Sequence, residues 1–224
     1  MGRGKGTSAG PSVRVLVIED HALLGQVLVA SMEQEGITAR LACGPTIDAI
    51  LDAAIEFKPH LVLLDLDLGQ VGDGRQLIAP LRDRDFEIIL VTGSRDTVQI
   101  AEGLEAGACG VMRKEEPFER LRDAILAVIA GQNGRFDAER QDLLGELYHH
   151  RAERAHRLAP FDRLTAREQE VLTALSAGMS AAAIAEDSFV SLSTVRSQIR
   201  AVLTKLGVAS QLAAVALAKE SQWL

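Results

Sequence analysis

A chain of 224 residues, 47% hydrophobic and 25% charged, has the balance of a globular protein of one large or two small domains, and length alone does not choose. Its longest apolar runs fall far short of the ~20 residues that cross a bilayer, and the basic, Gly-rich residues 1–12 lack the apolar core of a signal peptide, so a flexible tail on a cytoplasmic protein is expected. The formal net charge of −7 argues against nucleic acid until its distribution is read: the first ~130 residues carry essentially all the acidic excess, and the last ~60 are near neutral with arginines gathered on one helix. Two halves so different suggest two domains with different partners. Cys43 and Cys109 show neither metal-ligand spacing nor a nucleophile's context, and both are expected as small buried hydrophobes.

From Val13 onward, short apolar runs alternate with amphipathic stretches five times. Residues 13–18 predict a strand, and 22–35 a helix with Leu23, Val27, Leu28 and Met32 on one face. A weaker strand at 37–42 precedes a helix at 46–57, and 61–64 is a third strand followed by a helix over 73–82. The fourth pair is 87–91 and 95–105; the fifth is 110–112 and 117–130. Strands alternating with such helices imply right-handed crossovers and an α/β, doubly wound, five-stranded parallel sheet.

The residues just beyond each strand carry the chemistry. The first strand ends in Glu19-Asp20, the third in Asp65, the fourth in Thr92-Gly93-Ser94, and the fifth runs into Lys114. In a parallel sheet these ends meet at one edge, where open α/β sheets bind their ligands. Three converging carboxylates repel one another unless a cation joins them, and oxygen ligands of this kind suit Mg²⁺. Lysine and a threonine hydroxyl supply what a phosphoryl group needs, a point charge and a donor. The set is read as a site that places phosphate on Asp65 as nucleophile.

The segments Val17-Ile18-Glu19-Asp20-His21, Leu63-Leu64-Asp65-Leu66-Asp67-Leu68-Gly69 with Gly72-Asp73-Gly74, Val91-Thr92-Gly93 and Gly107-Ala108-Cys109-Gly110-Val111-Met112-Arg113-Lys114 resemble the receiver domain of bacterial two-component response regulators over residues 13–131. The resemblance implies a flavodoxin-like fold, Asp65 as phosphoacceptor, Asp20 as direct Mg²⁺ ligand, Glu19 as ligand through water, and Asp67 contributing its backbone carbonyl. Thr92 and Lys114 would contact the phosphoryl group. Two departures stand out. Val111 occupies the place of an aromatic switch residue, which moves the expected coupling to Thr92 and the loop after it. Glu115-Glu116 separate Lys114 from Pro117, so no cis peptide is inferred there.

Gly131-Gln132-Asn133-Gly134 is expected to close this domain, and residues 137–159 to form a linker helix with Leu143, Leu144, Leu147 and Tyr148 along a narrow stripe. That stripe suits packing on either domain or against a second copy. Beyond it, Thr165 and Glu168 form the signature of a capping box, Gly178 stops the first helix, and further helices run over 180–186 and 191–206 with Gly207 as a stop. Helix, tight turn, helix is a helix-turn-helix layout, giving a small all-α second domain. On its third helix Val195, Ile199, Val202, Leu203 and Leu206 share the packed face, while Ser193, Arg196, Ser197, Arg200 and Thr204 lie opposite.

Leu164-Thr165-Ala166-Arg167-Glu168-Gln169-Glu170-Val171-Leu172, Gly178-Met179-Ser180, Ile184-Ala185 and Val190-Ser191 with Thr194-Val195-Arg196 through Lys205-Leu206-Gly207-Val208 are similar to the LuxR-type helix-turn-helix, from residue 162 to the end. The similarity implies contacts to double-stranded promoter DNA by Ser193, Thr194, Arg196, Ser197, Arg200, Thr204 and Lys205, with Arg196, Ser197 and Arg200 reading bases, and a last helix over 211–220 used for dimerisation. Gln198 and Ser197 stand where the family frequently has other residues, which bears on the sequence that is read. Receiver, linker (132–161) and output domain together resemble the NarL/FixJ class. That implies a non-enzymatic transcription factor, activated by a cognate histidine kinase, homodimeric when active, with RNA polymerase as a further partner. Two rivals remain: a regulator that works without phosphorylation, and a phospho-Asp hydrolase, since Asp65-Leu66-Asp67 also fits an Asp-x-Asp motif, although that motif generally sits on a first strand.

Overall fold

The computed structural model describes residues 13–223, so the expected tail lies outside the described residues. The chain divides into two compact units, Met1–Leu147 and Tyr148–Leu224.

In the first unit β1 (Arg14–Ile18), β2 (Thr38–Ala42), β3 (Leu61–Leu64), β4 (Glu87–Thr92) and β5 (Gly110–Arg113) form one parallel sheet in the order β2-β1-β3-β4-β5. β3 is Leu-Val-Leu-Leu with every side chain buried, as a central strand covered on both faces must be. The direction of winding reverses between β1 and β3, and a crevice opens outside their carboxyl ends. Register fixes what enters it: Ile18 pairs with Leu64, Leu64 with Leu90, and Thr92 with Arg113. The ladder continues one residue past the strands, with Asp65 N–H donating to the Ile18 carbonyl at 3.0 Å and Lys114 N–H to the Thr92 carbonyl at 3.2 Å. Asp65 and Lys114 are thereby held at one edge by backbone hydrogen bonds, beside Glu19, which directly follows Ile18.

α2 (Ile47–Phe57), α3 (Ile78–Arg82) and α4 (Thr97–Glu105) cover one face of the sheet; α1 (Ala22–Gln34) and α5 (Phe118–Ile129) cover the other. Three expectations are corrected. On α1, Leu23 and Val27 are exposed, at 77% and 53%, and the face turned to the core holds the buried Gly25 and Met32 with the partly buried Leu28 and Val29. Gly25 is its centre because the Leu41 side chain occupies the space a β-carbon would need, and a glycine carries no apolar signal in a sequence. The helix over 73–82 is a 3-10 segment, Gly74–Leu77, followed by only five α-helical residues. Pro80 stands in the first turn of that short helix, where its missing N–H is tolerated. Cys43 is exposed in the loop after β2, whereas Cys109 is half-buried, its thiol donating to the Ile88 carbonyl at 3.0 Å and pushed up to about 12 by burial.

α6 (Asp137–Leu158) starts in the first unit, where Phe136 lies over Gly110 of β5, the Arg140 guanidinium donates to the Ala108 carbonyl, and Leu143 and Leu147 join the core. The compact units divide inside this helix, between Leu147 and Tyr148.

The second unit contains α7 (Ala166–Ser176), α8 (Ala181–Asp187), α9 (Leu192–Leu206) and α10 (Gln211–Glu220). Thr165, Ser180, Ser191 and Ser210 cap the four N-termini by accepting from a backbone N–H three residues on. Val171, Ile184, Val195 and Ile199 pack between α7, α8 and α9, and Leu172, Val202, Ala214 and Ala218 pack around Phe161, whose ring stacks on Trp223 at 5.1 Å. Glu168 joins two of these helices, accepting from Thr165 N–H at 2.7 Å and from the Lys205 ammonium at 2.6 Å.

The Lys205 hydrogen bond holds the Glu168 carboxyl below its ordinary value of 4.5. A depressed carboxylate contributes stability that is present above that value and lost as pH falls through the lower, folded one. Glu168→Gln is therefore expected to cost the second unit ~1–2 kcal/mol at neutral pH. The gap to the parent should narrow below pH 4.5, as read by chemical denaturation across a pH series.

Candidate phosphoacceptor site and nucleic-acid interface

At the carboxyl edge of the sheet a cleft of about 740 Å³ is lined by Asp65, Asp67, Arg75, Thr92, Ser94 and Lys114 among others. Glu19, Asp65 and Thr92 are buried at 4%, 4% and 1% exposure. Buried acids need a partner, and Lys114 provides it: its Nζ lies 2.6 Å from Glu19 Oε2 and 2.6 Å from Asp65 Oδ2. Burial raises the Asp65 carboxyl above its ordinary value, against the pull of Lys114. Burial pushes the Lys114 ammonium down, but its hydrogen bonds to Asp65 and Glu19 outweigh that and hold it above its ordinary value. The pair is a carboxylate and an ammonium held in contact in a partly desolvated cleft.

The loop after β3 is shaped to present Asp65. Gly74 N–H donates to the Leu66 carbonyl at 2.8 Å and Leu68 N–H to the Gly72 carbonyl at 3.1 Å, a small antiparallel bridge in which Asp67 faces Asp73. Asp67 and Asp73 form a non-hydrogen-bonded pair between those two bonds, so the Asp67 carbonyl points away from the Gly72-Asp73-Gly74 segment. A β-carbon at Gly74 would run into the Asp65 carbonyl oxygen, which restricts that position to glycine. Thr92 Oγ1 accepts from Ser94 N–H at 3.0 Å, tying the hydroxyl to the loop after β4.

The donor chemistry fits a hard divalent cation. One ligand atom from each of Glu19, Asp20, His21 and Asp65 lies within 4.8 Å of the others, three of the four being carboxylates. His21 Nδ1 is 2.9 Å from Glu19 Oε1 and 2.8 Å from Asp20 Oδ1, and the hydrogen bond with Glu19, together with the charges of both acids, raises its pKa. Every residue predicted for this site is at this edge.

Arg75 was not among the predicted residues. It holds Asp73 through two nitrogens, Nε at 2.8 Å and Nη2 at 2.5 Å from Oδ2, and reaches Glu102 of α4 through Nη1. Its hydrogen bond to Asp73 keeps that carboxyl below its ordinary value. The only signal for it was a basic residue just past the glycines that follow β3, and its direction depends on the 3-10 turn that replaced the expected helix.

In the second unit Ser193, Thr194, Arg196, Ser197, Arg200 and Thr204 are all exposed on α9, opposite the packed Val195, Ile199 and Val202. Ser191 orders the start of this surface, its Oγ lying 2.7 Å from Ser193 Oγ and 2.8 Å from Thr194 Oγ1. Arg196 and Arg200 are one helical turn apart. Lys205, predicted on the same surface, is half-buried and spends its ammonium on Glu168.

Among the described residues no single helix is long and apolar enough to cross a membrane. Residues 15–126 match the family model of the response regulator receiver domain, and residues 162–218 that of the bacterial regulatory proteins of the luxR family. The nitrate/nitrite response regulator protein homolog of Haemophilus influenzae is 30% identical over 92% of this chain and 95% of its own length. The probable transcriptional regulatory protein NarL of Mycobacterium tuberculosis is 29% identical over 95% of this chain and 96% of its own. A CheY-like receiver domain protein from Methanospirillum hungatei, at 22% identity and TM-score 0.50, covers 56% of this chain and 99% of that one, a likeness of fold. Sheet order, the acid-and-lysine edge, the two family matches and relatives similar along almost their whole length agree: the chain belongs to the NarL-class response regulators, transcriptional regulators built from a receiver and a LuxR-type domain.

Proposed function

We propose that Asp65 is the phosphoacceptor and that phosphate there controls DNA binding by α9. The observation that carries this is the Lys114 ammonium in contact with both Glu19 and Asp65 at a cleft that also holds Thr92. An Asp65 carboxylate oxygen attacks the phosphorus of a sensor kinase's phosphohistidine. The new O–P bond forms as the P–N bond breaks, and its electron pair leaves with the imidazole. Lys114 is placed to follow the charge from the carboxylate onto the phosphoryl oxygens, and the Thr92 hydroxyl to donate to one of them. Mg²⁺, held by Asp20, Asp65, the Asp67 carbonyl and, through water, Glu19, would neutralise the charge that gathers on those oxygens.

Arg196, Ser197 and Arg200 read base edges in the major groove, with Ser193, Thr194, Thr204 and Lys205 beside them. Residues 13–131 serve as the receiver, 132–161 as linker and 162–224 as the DNA-binding module of a cytoplasmic, non-enzymatic regulator that dimerises when phosphorylated and acts on RNA polymerase. Treatment with a small-molecule phosphodonor and Mg²⁺ should add one phosphoryl group by intact mass, mapped by peptide to Asp65. Asp65→Asn should add none; incorporation undiminished in that variant would place the acceptor elsewhere.

A further inference from the structure

The turn between α8 and α9 contains a residue that the fold does not explain. Ser188 closes α8, and the next residue, Phe189, takes the left-handed conformation with φ +53°. The turn is fixed by Phe189 N–H donating to the Glu186 carbonyl at 3.2 Å and Val190 N–H to the Ala185 carbonyl at 3.0 Å. This is the helix-closing position that glycine favours, because a β-carbon there crowds the backbone. The neighbouring helices obey the rule, α7 being followed by Gly178 at φ +85° and α9 by Gly207 at φ +69°.

Phe189 breaks the rule with a bulky ring and recovers nothing by burial. At 97% exposure it is the most exposed large hydrophobic side chain among the described residues, with Val190 and Leu192 beside it at 36% each. A residue that is both strained and unburied is retained for something outside the folded chain. Its position says what. Phe189 lies two residues before Ser191, the N-cap of α9, and so adjoins the surface of Ser193, Thr194 and Arg196. Those side chains supply hydrogen bonds and charge. The apolar feature a major groove offers in return is the thymine methyl group, against which an aromatic ring packs.

We propose that Phe189 is a specificity-determining residue of the DNA interface, its ring seated on the methyl group of a thymine in the operator. This rests on DNA binding by α9, proposed above. The test uses the full chain, a duplex selected from a random pool by the phosphodonor-treated protein, and copies of that duplex with deoxyuridine replacing each thymidine in turn. Wild type should bind about fourfold more weakly when one particular methyl is removed. Phe189→Gly should melt at a higher temperature than wild type, bind the selected duplex about tenfold more weakly, and no longer distinguish thymidine from deoxyuridine at that position. Stability and affinity moving in opposite directions would not arise from a merely structural role. If wild type selects no duplex, the DNA-binding reading falls and this one with it. If wild type selects a duplex and Phe189→Gly equals it in affinity and in methyl discrimination, including through a ring that docks on another protein instead, the proposal alone is overturned.

Discussion

Replacing Lys114 by Ala is expected to cost the first unit ~3 kcal/mol in metal-free buffer and to abolish the response to phosphorylation. The side chains of Glu19 and Asp65 are 2% and 4% exposed, and Lys114 Nζ touches both at 2.6 Å. Without it, two acids share a desolvated edge with no cation between them, and the Asp65 carboxyl, already raised by burial, is pushed further up. Added Mg²⁺ should recover part of the lost stability, because it offers those carboxylates the positive charge that lysine no longer supplies. Chemical denaturation with and without Mg²⁺ measures both effects. A variant as stable as wild type in metal-free buffer would mean that the observed ion pairs contribute nothing to the receiver.

The second large effect concerns α9. Arg196→Ala and Arg200→Ala should each weaken binding to the selected duplex by ~10- to 100-fold while leaving thermal stability unchanged, since both side chains are exposed and face away from the packed Val195, Ile199 and Val202. Base contact and phosphate contact are separable. An arginine that reads a base edge relaxes sequence preference when removed; one on phosphate weakens all sequences alike and lowers the salt slope by about one. Competition titrations over a range of salt concentrations, on the selected duplex and on a scrambled one, distinguish the two.

The convergence of the strand ends was the most legible feature of the sequence, for a physical reason. Parallel strands fix where their last residues emerge, so topology alone brings Glu19-Asp20, Asp65, Thr92 and Lys114, scattered along the chain, to one edge. Helix caps were equally legible: the Thr165 and Glu168 capping box and the start of α9 after Ser191 depend on local hydrogen bonds alone. The features hidden in the sequence depended on three-dimensional neighbours. The buried stripe of α1 runs through Gly25 because of Leu41, which is distant in sequence, and Leu23 and Val27 look apolar and face water. The expected helix over 73–82 starts late, after a 3-10 turn over Gly74–Leu77, and Arg75 acquires its partners from that turn. Phe189 is set apart by its conformation and exposure alone, which no local pattern in the sequence announces.

The coupling between the two units is the central claim, and one measurement tests it most directly. Affinity for the selected duplex is determined for wild type and Asp65→Asn, each with and without a small-molecule phosphodonor and Mg²⁺. Wild type is expected to gain at least about tenfold on phosphorylation, worth ~1.4 kcal/mol, and Asp65→Asn to show no change. An equal gain in both proteins, or none in a wild type shown by mass to be phosphorylated on Asp65, would contradict that coupling.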